Sequence, residues 1–475
     1  MNSSFLEAEP KPYSKLSQDR INELKAFLPN SVFLEDSDSK RSYGHDETED
    51  LIFEPELVFI PNTVEEISKL MTWCNQYHIP VTPRGGGTGL SGGALPVYRG
   101  IVLSMEKFNK ILEIDLRNHQ ALVESGVITQ VLMDKVEEQG LYYPIDPSSK
   151  GSSFIGGNVS HGSGGPRVVK YGTLRDYILN LEVVLPNGEV IWTGANTIKF
   201  SSGYNLTQLM IGSEGTLGII TKIRLKLIAK PKSNLLLLVG FDDLEKACMA
   251  VSGIFKAGFT PSALEFMERA GIEWVVEYEK IHFDLPEPIQ AMLLIELDGS
   301  SPEVLMQEAE KISEVLYDLG CDEVQVADSS HQKDEWWKIR RKMPESVKAN
   351  SIYKEEDTVV PRGELAKLII GIKEIGNRYG FKSVCYGHAG DGNLHINIIR
   401  GELSPEKWEI ELPKAIREIF QLTVQLGGTI SGEHGIGYVQ KPYMEISFSK
   451  VHMELLKGIK SIFDPQGILN PGKMF

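Results

Sequence analysis

The sequence predicts an α+β protein of several domains. Three observations carry that expectation. From about residue 51, apolar strands and amphipathic helices alternate and lead into a glycine-rich loop. Three glycine patches then fall within about 140 residues, too closely grouped for unrelated turns. Beyond Ser233 the elements follow the order β-α-β-β-α-β, the split arrangement of a ferredoxin-like sheet. The expected division is an arm at 1–50, a ligand-binding domain at 51–230, a second domain at 231–425 and a closing segment at 426–475.

Within the arm, Ser17 caps a short helix to Leu28, and His45 and Asp46 read as solvated loop residues. Leu57–Ile60 reads as a strand. Thr63, with Glu66 three residues on, has the spacing of a capping box. The helix it opens puts Val64, Ile67, Leu70, Met71 and Cys74 on one face. A strand at Ile79–Thr82 follows, then the loop Pro83–Ala94, in which six of twelve residues are glycine. Such a loop bares consecutive N–H groups, which form a concave anion site suited to a pyrophosphate. Arg84 adds positive charge, and Thr88 and Ser91 add hydroxyls. No Lys-Ser/Thr follows as in a Walker A loop, and no helical pattern opens directly after it as in a Rossmann fingerprint.

The second patch, Ile145–Gly172, has residues small enough for a flat ligand to lie against backbone. Leu181–Leu185 and Val190–Trp192 read as a hairpin turned by Asn187-Gly188. The third patch, Ile211–Ile220, runs into a strand at Thr221–Leu227. Together the patches fit one extended dinucleotide. After a boundary at Ala229–Ser233 come strands at Leu235–Phe241, Ala263–Met267, Ala291–Leu297 and Glu323–Ala327, with helices at Leu244–Lys256 and Pro302–Leu319. A helix at Gln332–Asn350, a strand at Asp357–Val360, a helix after Pro361 and strands flanking Gly387–Gly392 extend this domain.

Composition narrows the function. The formal net charge of -16 argues against nucleic acid or an anionic membrane as the main partner. The four cysteines are scattered with no CxxC pair, so neither a zinc ribbon nor a thiolate-held iron–sulfur cluster is expected in this chain. Met1–Arg20 is polar rather than a secretory signal, and apolar runs such as Leu235–Val239 are too short to span a bilayer. A cytoplasmic protein is the expectation.

A histidine cluster marks the carboxyl-terminal half. Tyr386–Asn397 contains His388 and His395, and Gly427–Gly437 contains Glu433 and His434. His395 and Asn397, two apart in a strand, share a face. Two histidines and a carboxylate are a usual set for a divalent metal with open positions.

Taken together, these residues resemble the vanillyl-alcohol-oxidase (PCMH-type) flavoprotein superfamily, and within it the FAD-linked D-2-hydroxyacid dehydrogenases that act on D-lactate, glycolate or D-2-hydroxyglutarate. The resemblance runs from about Tyr43 to Phe475. It is carried by Pro83–Ala94, Ile155–Gly172, Gly212–Ile220, Gly387–Asn397, Gly432–Gly435 and Asp464–Gly472. It implies a two-subdomain FAD-binding domain, a ferredoxin-like antiparallel cap and a C-terminal segment returning to the flavin. Arg84, Gly85, Gly86, Gly87, Thr88, Gly89, Leu90 and Ser91 would cradle the pyrophosphate. Gly156, Gly157, Asn158, His161, Gly162, Gly164, Gly165, Tyr171 and Gly172 would lie near the flavin, and Glu214, Gly218 and Ile220 would complete the pocket. Covalent members attach FAD to a histidine in the glycine loop. None stands there, so FAD is expected to be non-covalent.

In metal-using members the ligands correspond to His388, His395 and Glu433, for a divalent ion such as zinc or manganese, and His434 corresponds to the base. Substrate contacts correspond to Arg340, Lys354 and Asn397. Pro344 stands where hydroxyglutarate-oxidising members carry a threonine. The implied reaction oxidises a small 2-hydroxy acid to the 2-oxo acid. With no cluster in the chain, electrons pass to a separate acceptor: a quinone, an electron-transfer flavoprotein or an iron–sulfur subunit. Such a partner could hold the protein at the inner membrane, and a homodimer is allowed for. The alternative is a non-redox flavin-dependent ether-lipid alkyl transferase of the same fold, which the Gly432–Gly435 motif disfavours. A phenol oxidase and an inactive flavin-binding module are weaker rivals.

Overall fold

A computed structural model describes residues 13–48 and 51–475. The chain first builds a four-stranded sheet in the order Val32–Leu34, Leu57–Ile60, Ile101–Ser104, Val81–Arg84, parallel except for its first edge strand. The strand expected at Ile79–Thr82 is shifted to Val81–Arg84, because Ile79 is still taken up in closing the preceding helix, its N–H bonded to Cys74 O. Thr63 caps that helix as expected. Glu66, however, accepts from the N–H of Asn62 at 2.6 Å, so only half of the capping box forms. Beside it stands a five-stranded antiparallel sheet, Ile111–Asp115, Gln120–Glu124, Ile219–Lys226, Ile178–Val184, Val190–Trp192. The glycine loop leaves Val81–Arg84 at its carboxyl end, where ligands gather in open parallel sheets.

The second large unit is a seven-stranded antiparallel sheet. Its first four strands lie in the order Val324–Val326, Ser233–Phe241, Ala291–Gly299, Ala263–Glu268, the spatial order of a ferredoxin-like sheet. Lys382–Gly387, Asn393–Ile399 and Tyr353–Val359 extend it from the last of these. A helix at Arg269–Glu279, not expected from the sequence, interrupts the β-α-β-β-α-β order.

Side chains alternate between the two faces of this sheet. Leu237, Val239, Leu264, Phe266, Leu293, Ile295, Leu394 and Ile396 form one buried face, in the core with helices Leu244–Lys256, Pro302–Asp318, Leu365–Tyr379 and Pro405–Gln425. Burying each such side chain stabilises by about 1.5–3 kcal/mol before entropy is counted. On the other face, Leu236, Leu238, Met267, Met292 and Leu294 share a core with helices Arg269–Glu279 and Ser330–Asn350. That face also carries the buried acids Glu265, Glu296, Asp298 and Asp357, with the half-buried Glu355. An acid in a core strand costs stability unless it is paired.

Two of these acids tie the sheet to the first domain. Arg167 forms a bidentate pair with Glu296, both contacts at 3.1 Å. Lys170 and Tyr171 both reach Asp298. The carboxyl-terminal tail returns to the glycine loop. Leu469 bridges to Val81, Asn470 donates to Gly93 O and Glu214 O, and Lys473 donates to Leu95 O. Asp46 is not a solvated loop residue. It is buried and accepts from the N–H groups of Thr48 and Ala94, while His45 is exposed and its carbonyl takes Arg84 Nη1 at 2.6 Å. No helix among the described residues is long and apolar enough to cross a membrane.

Candidate active site

A cavity of about 430 Å³ lies between the glycine patches and the acid-bearing face of the large sheet. Arg84 to Leu90, Gly156, Gly157, Asn158, His161, Glu214, Gly218 and Ile220 line one side; Arg340, His395, Glu433 and His434 line the other. The structure thus brings residues expected for cofactor, substrate, metal and base into one space.

The glycine patches fit a dinucleotide. None of the N–H groups from Gly85 to Ser91 donates to another protein group among the described residues. A row of unpaired donors at a cavity wall suits a pyrophosphate. A Cβ on Gly86 would sit 2.5 Å from Ser152 O, and one on Gly156 2.5 Å from Ser125 Cβ, so the backbones here approach closer than any side chain allows. His161 Nδ1 is 3.2 Å from Gly157 O, and its Nε2 is buried without a hydrogen-bond partner.

Other expected residues lie off the lining. Tyr171 donates to Asp298 at 2.7 Å and so belongs to the contact between domains, while Gly172 packs on Asp176 within the first domain. Gly162 closes a helix at φ +74°, and Gly165 packs against Asp146 O. Gly164 makes room for Glu433, whose Oε2 would lie 2.6 Å from a Cβ there. Ser91 donates its hydroxyl to His434 O at 2.9 Å. Asn158, which does line the cavity, donates to Thr129 at 2.6 Å.

The histidines and Glu433 converge. His388 Nε2 and His395 Nε2 are each 3.5 Å from Glu433 Oε1, and one ligand atom from each of the three residues falls within a 4.8 Å cluster. His388 Nδ1 is held by Glu265 at 2.8 and 2.9 Å, the carboxylate–histidine support usual behind a metal ligand. The donor set therefore fits a divalent ion. A second group, Glu355, His395 and His434, lies on the other side of His395, whose Nδ1 is 3.5 Å from Glu355. The electrostatics are strongly coupled. Burial opposes charge on His388, but Glu265 and Glu433 push its pKa up to about 10. Burial, the His434 charge and the His388 charge pull His395 down to about 3 against the nearby acids. Burial also opposes charge on His434, and Asp357 and Glu355 outweigh it, so its pKa is raised.

Arg340 is 4% exposed, and its Nη2 is buried without a hydrogen-bond partner. Its Nε lies 2.7 Å from Glu265, and its guanidinium carbon is 5.1 Å from the centre of the Tyr386 ring. The Nε side is thus held by an ion pair without hydrogen-bond geometry, and the buried Nη2 is left to take an anion. Pro344 and Lys348 line the cavity one and two turns further along the same helix. Lys354 is not in the lining. It lies between Tyr353 and Glu355, which are, and so points to the opposite face of the strand. Asn397 is fully buried, pairs across the ladder with Glu355 and shares its face, one layer behind the cavity.

Sequence reasoning missed Glu265, Tyr386, Glu355 and Asp357. A signal existed for Glu265, set among Ala263, Leu264, Phe266 and Met267 in a core strand; Glu355 and Asp357 stand in the polar run 354–358, which reads as solvated. Tyr386, 1% exposed with an unpaired hydroxyl, lies between Arg340 and His395.

Comparison with known proteins agrees with this arrangement. The family described as FAD linked oxidases, C-terminal domain matches residues 230–474, and the FAD binding domain family matches 55–194. The chain is 40% identical over 436 residues to the glycolate oxidase subunit GlcD of Bacillus subtilis (strain 168), covering 91% of this chain and 92% of the relative. It is 38% identical over 473 residues to D-lactate dehydrogenase of Anaerostipes hadrus, covering 97% and 98%. Among solved structures, p-cresol methylhydroxylase shares the fold, with a TM-score of 0.77, 20% identity and 97% of each chain covered. A cavity walled by glycine-rich loops on one side and by histidines and an arginine on the other thus stands on the matched domains, and the chain belongs to the FAD-linked oxidase family.

Proposed function

We propose that this protein oxidises a D-2-hydroxy acid to the corresponding 2-oxo acid, using FAD held non-covalently and a divalent metal. The observation that carries the reading is the buried, unpartnered Nη2 of Arg340 in the cavity that also contains His434 and the glycine loop. Bound FAD supplies an acceptor for the hydride leaving C2 of the substrate. A zinc or manganese ion held by His388, His395 and Glu433 supplies Lewis-acid polarisation of the substrate hydroxyl.

The protein's own groups do the rest. Arg340 takes the substrate carboxylate through its free edge and fixes its direction. Tyr386 offers its unpaired hydroxyl beside Arg340. His434 takes the hydroxyl proton, and the nearby acids Asp357 and Glu355 favour its charged form once the proton has moved. Asn397 and Lys354 support the substrate side from behind the lining. Ser91, Gly162, Gly164, Gly165, Tyr171 and Gly172 shape the cofactor side without touching the cavity. The division into 51–230 for FAD, 231–425 for the cap and 426–475 for the closing segment follows the same reading. Electrons then leave to a separate small-molecule or protein acceptor, in the cytoplasm or at the inner face of a membrane.

Anaerobic addition of D-lactate, glycolate and D-2-hydroxyglutarate in turn tests the reading. Bleaching of the flavin by at least one of them supports it. Bleaching by none, with flavin bound and metal present, leaves the alkyl transferase alternative standing. Acid precipitation should release the yellow chromophore into solution; colour retained in the washed pellet would point to a covalent link at His161.

A further inference from the structure

Ser431–Gly437 carries Glu433 and His434, yet it forms neither helix nor strand. Ordering such a segment costs entropy at every residue, and N–H groups drawn away from water need partners. Two buried carboxylates supply them. Asp357 Oδ2 accepts from the N–H groups of Gly432 at 2.8 Å, Glu433 at 2.7 Å and His434 at 2.9 Å, and from the Ser431 hydroxyl at 3.2 Å. Its other oxygen accepts from Asn393 Nδ2 at 2.6 Å. Glu214 takes the next stretch: Oε1 accepts from Ile436 N at 2.6 Å and Oε2 from Gly437 N at 2.7 Å.

The two anchors belong to different domains. Asp357 stands on the strand Tyr353–Val359 of the large sheet. Glu214 stands in the third glycine patch, with a left-handed φ of +52° that a glutamate adopts only at a cost. Gly435, between the two grips, has φ +80°, and a Cβ on it would come 2.8 Å from Glu214 Oε1. Ser91 of the glycine loop adds a bond to His434 O. The glycines of this motif therefore serve the grip of the carboxylates.

We propose that Asp357 and Glu214 are positioning residues that string the segment between the two domains. Asp357 fixes Gly432 to His434 from the cap, and Glu214 fixes Ile436 and Gly437 from the cofactor side. Glu433 and His434 are set toward the cavity only while both grips hold. The assignment rests on His434 being the base, and the test separates the two claims.

The first measurement uses no substrate. Amide exchange of the FAD-loaded protein is read residue by residue across 428–440 in wild type, Asp357→Ala, Asp357→Asn and Glu214→Gln. Asp357→Ala should expose the amides of Gly432, Glu433 and His434 while Ile436 and Gly437 stay protected. Glu214→Gln, which keeps one accepting oxygen, should show the reverse with smaller changes. Unchanged protection in both variants overturns the tether.

The second measurement is flavin reduction by the substrate that bleaches wild type. Asp357→Ala should reduce flavin about a hundredfold more slowly at saturation, the effect of a displaced reacting group, with KM and FAD content little changed. Asp357→Asn, which keeps an accepting oxygen, should recover part of that rate. A full rate in Asp357→Ala alongside exposed amides overturns the positioning role. If Asp357→Ala does not fold, Asp357→Asn carries both measurements, with smaller changes in the same direction expected and no change in either overturning the proposal. If no hydroxy acid bleaches wild type, the functional reading has failed, and amide exchange still decides the tether.

Discussion

Glu265 and His388 are joined at 2.8 and 2.9 Å, both carboxylate oxygens facing one imidazole nitrogen, deep in a sheet where Glu265 has no exposure. The same carboxylate lies 2.7 Å from Arg340 Nε. One buried acid thus holds both His388, proposed as a metal ligand, and Arg340, proposed to take the substrate carboxylate. Burial pushes the Glu265 pKa up, but His388 and Arg340 outweigh it and the net direction is down.

Glu265→Gln should therefore impair two functions at once. It keeps the size of the side chain and removes the charge that two cationic groups share. Breaking a buried pair on one side costs about 3–5 kcal/mol. The expected outcome is a lower thermal midpoint, lower metal content by elemental analysis and a raised KM. A variant that loses only metal would show that Arg340 does not depend on Glu265.

Arg340→Lys should weaken substrate binding far more than FAD binding. Lysine keeps the charge and loses the planar fork that meets a carboxylate with two donors. A loss of about 2 kcal/mol in kcat/KM is expected for an incomplete charge-assisted pair. Unchanged kinetics would remove Arg340 from the substrate site.

Glu433→Gln and His434→Asn should separate ligand from base. Glu433→Gln should lower metal occupancy and turnover while the flavin spectrum stays. His434→Asn should keep metal and flavin and slow flavin reduction by about a hundredfold or more. Metal loss in His434→Asn would instead place it in the ligand group with Glu355 and His395.

Lys473 makes stability depend on pH away from His388, His395 and Glu433. It is 3% exposed and donates to Leu95 O at 2.6 Å; burial pulls its pKa down to about 7 despite Asp46 and Glu214. Between pH 7 and the ordinary lysine value, the unfolded chain binds the proton and the folded chain does not. Stability must then rise with pH across that window, by about 1.4 kcal/mol per unit at most. The thermal midpoint of wild type at pH 9 relative to pH 7 should exceed that of Lys473→Met. Parallel pH profiles would show that Lys473 stays charged.

Most of the fold was legible because its signals are local. Thr63 marks a helix start, Asn187-Gly188 marks a hairpin, and the glycine loop follows a strand. The candidate site was legible where one segment held several of its residues, as at Gly432–Gly435. It was not legible where partners lie far apart in sequence. Glu265 meets His388 across 123 residues, and Asp357 reaches Glu433 across 76. Tyr171 shows the opposite case: it lies within the second glycine patch, but its hydroxyl turns to Asp298 of the large sheet. Asp46, with its polar neighbours, read as exposed. Its burial comes from the N–H of Ala94, which no local pattern reveals.

The central claim is that a hydride leaves C2 of a 2-hydroxy acid in this cavity. Stopped-flow flavin reduction under anaerobic conditions measures it directly, with the bleaching substrate in its ordinary form and with deuterium at C2. The account predicts bleaching that is slower with deuterium at C2 and that yields one 2-oxo acid per flavin reduced. Bleaching at the same rate for both forms in single turnover, or bound flavin that no 2-hydroxy acid reduces, would contradict it.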